Sequence, residues 1–322
     1  MKKSIILIIM SFLSTLYATK YAGEFLSYGI GARTLGMGGG GIALNLGTEA
    51  LYWNPASLGR MQTPEILAMH CEQFGGLSQF DFIGFSKRYK TDEGIGIGLS
   101  MLSVPDIPYT ELPDPSKPPS ADNRPYISKY VTSRDFALNL GYSRYFKNVV
   151  SSKGLVLGAT FKGIYRHLGD DSAYGGGFDL GMQFPVHPRL VIGTIVKDCF
   201  TTPLIWSTGK KEIIVPSPWL GFAYRMPFIF GGELTLMSDT EWHFENRQTA
   251  DQFSLGKTTM NLHYGIEYLI KKRVALRAGS DEGVFTAGSG IYLNKIALNY
   301  AFLSDDDFNG SSHRISGNYF FK

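Results

Sequence analysis

Residues 135–144 read DFALNLGYSR, and every second side chain in the run is larger and more apolar than its neighbours. Phe136, Leu138, Leu140 and Tyr142 fall on one side of an extended chain. Asp135, Ala137, Asn139, Gly141 and Ser143 fall on the other. A period of two belongs to a strand, because successive Cβ atoms leave a pleated backbone on opposite faces. The same alternation recurs at 177–184, where Phe178, Leu180, Met182 and Phe184 oppose Asp179, Gly181 and Gln183. It recurs at 259–270, where Met260, Leu262, Tyr264, Ile266 and Tyr268 oppose Asn261, His263, Gly265 and Glu267. At 295–302 Ile296, Leu298, Tyr300 and Phe302 oppose Ala297, Asn299 and Ala301.

Working outward from these runs gives fourteen segments, near 63–73, 79–89, 94–104, 131–146, 154–167, 174–185, 189–199, 213–226, 229–244, 257–270, 273–281, 283–293, 295–303 and 312–321. An even number returns an antiparallel chain to the side on which it started. The connections sort by parity. Links after even-numbered segments are short, as at 90–93, 186–188, 227–228, 271–272 and at Asn294. Those after the third, seventh and ninth are long, and the longest, about 105–130, holds Pro105, Pro108, Pro113, Pro115, Pro118, Pro119 and Pro125. Short turns on one rim and long loops on the other mark an outer-membrane barrel. A soluble sandwich has no reason to sort its loops in this way.

Composition agrees. Of 322 residues, 38 are Gly, 14% are aromatic and only 18% are charged, the last below the roughly 25% of ordinary soluble domains. Lys2 and Lys3, the apolar run 5–16 and Ala18 read as a secretory signal covering residues 1–18. Its removal takes two lysines from a formal charge of +3 and leaves +1, a balance that gives no support to nucleic-acid binding. No later run is apolar for the ~20 residues a spanning helix needs. A closed antiparallel barrel of about 14 strands over 61–322 is then the way for an exported, membrane-bound chain to satisfy its backbone in lipid. The alternative is a secreted soluble β-protein that binds surface ligands.

Residues 23–60 do not alternate. Eight glycines lie from Gly29 to Gly47, a composition that lets backbone pack closely against other structure. A short helix is expected from about Thr48, ended by Asn54-Pro55. Gly36, Gly38 and Gly41 satisfy GxGxxG, but the strand and βαβ unit of a dinucleotide site are missing.

On the inward faces, Glu233, Thr235, Asp239, Glu241, His243 and Glu245 form an acidic row, Arg273 and Arg277 a basic one, and Glu267 stands between them. Ion pairs across neighbouring strands are expected in the lumen. No GxSxG elbow accompanies the histidines, and Glu241 and Glu245 lie roughly 13 Å apart along a strand, too far to act as one acid/base pair. No catalytic residue, cofactor or metal ligand is expected. The turn from Asp305 to Gly310 has oxygens at Asp305, Asp307 and Asn309 but Ser316 where a calcium loop needs Glu. Cys71 and Cys199 show no metal spacing and are expected as two unpaired thiols.

The run Gly31-Ala32-Arg33, Leu35-Gly36-Met37-Gly38-Gly39, Ala50 and Tyr52-Trp53-Asn54-Pro55-Ala56 resembles the start of the PorV/PorQ group of outer-membrane proteins, relatives of the FadL long-chain fatty-acid transporters. Later pieces, Leu276-Arg277-Ala278-Gly279 and Phe285-Thr286-Ala287-Gly288 among them, are similar too. The resemblance implies a fourteen-stranded barrel in the bacterial outer membrane whose N-terminal segment, residues 19–60, folds into the lumen as a hatch. It implies one of two roles: passage of hydrophobic small molecules, or service to the type 9 secretion system, with its subunits and cargo as partners.

Overall fold

The computed structural model describes residues 22–321, except 148, 150–153, 246, 248–250 and 306–309. The proposed signal segment 1–18 and most of the Asp305–Gly310 turn lie outside the described residues. Among the described residues seventeen strands form one antiparallel sheet. Three are short: β8 (Thr202–Trp206), β9 (Lys211–Ile214) and β12 (Phe253–Leu255). The other fourteen make the wall. They are β1 (Glu65–Gln73), β2 (Ser78–Lys90), β3 (Glu93–Glu111), β4 (Tyr126–Phe146), β5 (Leu155–Leu168), β6 (Asp171–His187) and β7 (Leu190–Lys197). After the first small hairpin come β10 (Ser217–Phe228) and β11 (Gly232–His243), and then β13 (Thr258–Ile270), β14 (Val274–Asp281), β15 (Val284–Tyr292), β16 (Ile296–Asp305) and β17 (Gly310–Phe320). The wall closes because β1 pairs with both β2 and β17, with Glu65 opposite Ser86 on one side and Phe320 on the other.

The faces follow the alternation. Leu138, Leu140 and Tyr142 are exposed on the outside, as are Phe178, Leu180, Tyr264, Ile266, Leu298 and Tyr300. Asn139, Ser143, Asp179, Gln183, His263, Glu267 and Asn299 are buried within. A soluble protein hides its large apolar groups; this one presents them around its whole circumference, where lipid tails replace water.

Three segments depart from the sequence expectation. The Pro-rich stretch is not a loop from 105 onward: β3 and β4 continue as a hairpin to Glu111 and from Tyr126. Pro105 falls where the register skips between Val104 and Ile107, with Asp106 at φ 54, so this bulge takes it out of the ladder. The eighth segment begins at Ser217, because Lys211–Ile214 belongs to the small β8–β9 hairpin. The ninth begins at Gly232, after a one-turn 3₁₀ segment at Ile229–Gly231.

Inside the wall lies the N-terminal segment. It carries short helical turns at Glu24–Leu26, Ala32–Leu35, Ala50–Trp53 and Pro55–Arg60. Ile30, Leu35, Met37, Ile42, Leu44, Leu51 and Leu58 are fully buried and join Leu67, Met69, Phe80, Phe82 and Trp219 of the wall in one core. The core of this molecule therefore fills its lumen. Cys71 and Cys199 are free, the former buried.

Candidate functional site: the plugged lumen and the cavity above it

An irregular segment enclosed in a barrel must find partners for backbone groups that no ladder satisfies. The polar side chains of the wall supply them. Asp239 accepts from the N–H groups of Gly41 (2.5 Å) and Ile42 (3.1 Å). Gln183 Nε2 donates to the carbonyls of Ile42 and Leu44, at 2.9 and 2.8 Å. Ser143 donates to Ala56 O, Thr160 to Leu51 O, and Arg314 to Tyr28 O. Asn54 works from the other side: its amide donates to Ile42 O at 2.7 Å, and to Met182 O and Thr194 O of the wall. Its Oδ1 accepts from Ala56 N and caps the turn that Pro55 opens. That is why the Ala50–Trp53 helix stops there.

Glycine sets how near the segment lies to the wall. Gly38 has φ 89, and a Cβ there would stand 2.4 Å from Tyr264 O. Facing it, a Cβ on Gly265 would stand 2.0 Å from Met37 O. Gly36 rests on Gly288, and Gly39 on the carboxylate of Asp281. Two glycines of the GxGxxG pattern, Gly36 and Gly38, thus serve backbone-to-wall contact, while Gly41 makes room for Thr34 within the segment.

One ion cluster ties the segment to the wall. Glu267 stands opposite Arg277 in register and accepts from its Nε at 2.7 Å. The same carboxylate receives Arg33 of the N-terminal segment at 2.8 and 3.0 Å. Burial pushes the nearby Glu49 carboxyl up to about 7, against the pull of its hydrogen bond from Thr34 and the charge of Arg33. Of the residues expected on the lumen face, Asp239, Glu241, Glu267 and Arg277 are there. Glu233 and Arg273 lie at the rim. Glu233, the second residue of β11, pairs with Arg225 at 3.2 Å, each side chain 44% exposed. Arg273 lies in the turn before β14, exposed. At strand ends the rim gives long charged groups water, and alternation no longer fixes their side.

The N-terminal segment separates two cavities. One of about 230 Å³, beside Arg33, Glu49, Glu65 and Asn318, faces the short-turn rim. The other, about 530 Å³, faces the long-loop rim. Tyr52, Trp53 and Trp219 lie against its base, the indoles edge to face at 6.3 Å. Trp53 is held by a 2.7 Å bond from Nε1 to Ile30 O. Lys197 Nζ sits 4.2 Å from the Tyr52 ring centre and 4.4 Å from that of Trp219, a cation–π box. Leu26, Ile213 and Ile214 give apolar sides. Sequence reasoning singled out Tyr52 and Trp53 but missed Lys197 and Trp219. The alternation of β7 with Gly193, Ile195 and Lys197 on one face was the available signal.

Beside this cavity the wall ladder is interrupted. Pairing of β6 with β7 ends at Leu180 opposite Val196, and pairing with β8 resumes at Gly175 opposite Leu204. Between them Asp198–Thr201 bulges, with Asp198 and Thr201 at positive φ and Phe200 73% exposed, and a single backbone bond, Cys199 N to Phe178 O at 2.8 Å, crosses to β6. Lys162 closes the inner side, 2.9 Å from Asp179 and 2.7 Å from Asp198.

No protein-family model matches the chain, and no curated protein resembles it in sequence. Solved structures do match. The Ralstonia pickettii toluene transporter TbuX superposes with a TM-score of 0.59 at 14% identity, covering 92% of this chain and 99% of that one. The Pseudomonas putida toluene transporter TodX gives 0.58 at 15% identity, with 92% and 99% covered. The CymD monoaromatic hydrocarbon channel gives 0.56 at 13%, with 92% and 98% covered. At these identities the likeness is one of fold: a closed 14-strand antiparallel barrel with an N-terminal segment before it.

Proposed function

We propose that this chain is an outer-membrane channel for small hydrophobic molecules, made after loss of a signal peptide at residues 1–18 and stoppered by residues 19–60. The observation that carries the proposal is the 530 Å³ cavity with Tyr52, Trp53 and Trp219 at its base. Its size lies within the roughly 300–1,000 Å³ of small-molecule pockets; the three aromatic rings with Leu26, Ile213 and Ile214 form its apolar part, beside a charged side that carries Glu241, His243, Asp251, His263, Asp281 and Arg314. The fold likeness to hydrocarbon channels adds to it. In this reading Gly36, Gly38 and Gly39 let the hatch lie against the wall, and Tyr52, Trp53, Asn54, Pro55 and Ala56 hold its shape. Asp239, Glu241, Glu267 and Arg277 line the lumen, and Asp239 and Glu267 anchor the hatch directly. The interrupted ladder at Asp198–Thr201 is the side exit for an apolar cargo, which gains nothing by entering water.

A second reading, a secretion-accessory barrel of the PorV/PorQ kind, is favoured by one feature. The hairpin of β3 and β4 beyond the wall bears Tyr109, Tyr126, Ile127 and Tyr130, each at least half exposed, a surface suited to another protein.

Uptake of radiolabelled toluene by bacteria carrying the chain in their outer membrane tests the first reading. Faster uptake than in cells without it is expected, with most of the gain lost in Trp219→Ala while the amount of folded protein stays the same. Uptake equal in all strains, with exported proteins co-purifying from native membranes, would contradict the channel and favour the second reading.

A further inference from the structure

We propose that Glu241, His263 and Glu282 form a binding site for a first-row divalent cation, zinc in the first instance, at the mouth of the lumen. Donor atoms from these three residues lie within 4.8 Å of one another. They come from three places that the fold fixes separately: β11, β13 and the two-residue turn between β14 and β15. That turn is pinned by Glu282 N donating to Leu262 O at 3.1 Å.

The histidine supplies the second, independent observation. His263 is 2% exposed, and its Nε2 is buried with no hydrogen-bond partner. A buried polar atom left unpaired is costly and asks for an explanation. Glu241 Oε2 lies 3.8 Å away, beyond hydrogen-bond range. The other ring nitrogen, Nδ1, is 2.8 Å from Asp281 Oδ1. A carboxylate behind one nitrogen and an open position at the other is how metal-binding imidazoles are held, because the carboxylate fixes the ring and raises its basicity.

The surroundings suit a cation. Glu241 Oε1 accepts from Ser217 Oγ at 2.8 Å and lies 3.1 Å from His243 Nε2, which leaves Oε2 turned toward His263. His243 Nδ1 is in turn 3.0 Å from Asp251. Four carboxylates, those of Glu241, Asp251, Asp281 and Glu282, thus gather about two imidazoles. Zinc bonds of about 2.0–2.2 Å in a tetrahedron put ligand atoms about 3.3–3.5 Å apart. The His263–Glu241 spacing needs to close by a few tenths of an ångström, and the exposed Glu282 side chain supplies the larger movement. One nitrogen and two oxygens make a set that zinc, cobalt and nickel accept, with a position left for water. The ion would lie beside the Asp281 carboxylate on which Gly39 of the hatch rests.

The test uses the full chain, without an affinity tag, folded in detergent and stripped with EDTA. Calorimetric titration with zinc chloride is expected to show one ion taken up per chain. Cobalt is expected to quench tryptophan emission, since the Trp219 indole stacks on His263 at 4.8 Å. His263→Gln should abolish uptake. Glu282→Gln, in an exposed turn that leaves the wall intact, should weaken it by about tenfold or more. Two results would overturn the site: no saturable uptake by a wild type that still migrates as a folded barrel before heating, or equal affinity in wild type and both variants.

Discussion

Replacing Glu267 by Ala is expected to cost about 3–5 kcal/mol, the usual penalty when one member of a buried ion pair is removed and the other stays behind. Here two cations stay behind. The Arg277 side chain is 0% exposed and Arg33 22%, and both close on this carboxylate at 2.7–3.0 Å. Arg277 keeps bonds to Ser289 O and Tyr292 OH, which soften the loss without neutralising the charge. Arg33 keeps less and sits on the N-terminal segment, so that segment should loosen before the wall does. Glu267→Gln retains the shape and part of the hydrogen bonding and should fall between. Urea unfolding in detergent micelles measures the stability. Trypsin cleavage at Arg33, absent in the wild type and present in Glu267→Ala, reports the local release.

Gly265→Val is expected to expel the hatch while leaving the barrel standing. The inward Cβ would meet Met37 O at 2.0 Å, and a valine adds two methyl groups beyond it. Neither side can yield cheaply. Met37 is followed by Gly38, which is already pressed against Tyr264 O and Ser280 O. Overpacking of this degree exceeds what side-chain shifts absorb. The strand itself tolerates a β-branched residue well, so the wall should fold and remain heat-modifiable. In planar bilayers the variant should give conductance steps that the wild type lacks. Gly163→Ala is the matched control, since its Cβ would find nothing nearer than a Phe161 ring carbon at 3.6 Å. Equal conductance in all three proteins would mean that residues 22–60 do not stopper the lumen.

These two expectations show what the sequence carried and what it did not. Alternation alone located the fourteen wall strands, because a two-residue period is a local property and lipid on one face enforces it along the whole strand. It put Glu267 and Arg277 on inward faces of neighbouring strands for the same reason. It did not bring Arg33 to them, since that contact joins residues 234 apart and depends on how an irregular segment folds. The seat of that segment was nonetheless written in the wall. Gly158, Gly181, Gly193 and Gly265 all lie on inward faces, and at each a Cβ would collide with the N-terminal segment. Inward glycines in strands that have no bend to make are a mark of backbone approaching from within. For Glu233 and Arg273 alternation says less, because a strand end at the rim is wet on both sides. The β8–β9 hairpin was missed because Thr202–Trp206 is too short to declare a period.

Apolar side chains of the wall face lipid outward while polar ones face a filled lumen. Nitroxide labels placed singly at 137 to 143 of β4 in lipid bilayers test this arrangement. Collision rates with oxygen and with a water-soluble nickel chelate should alternate with a period of two. Labels at 138, 140 and 142 should show high oxygen access, and those at 137, 139, 141 and 143 should be shielded from both reagents. High oxygen access at 139 and 141 with shielding at 138, 140 and 142 would place the Leu and Tyr side chains in a protein interior, and the account would fail.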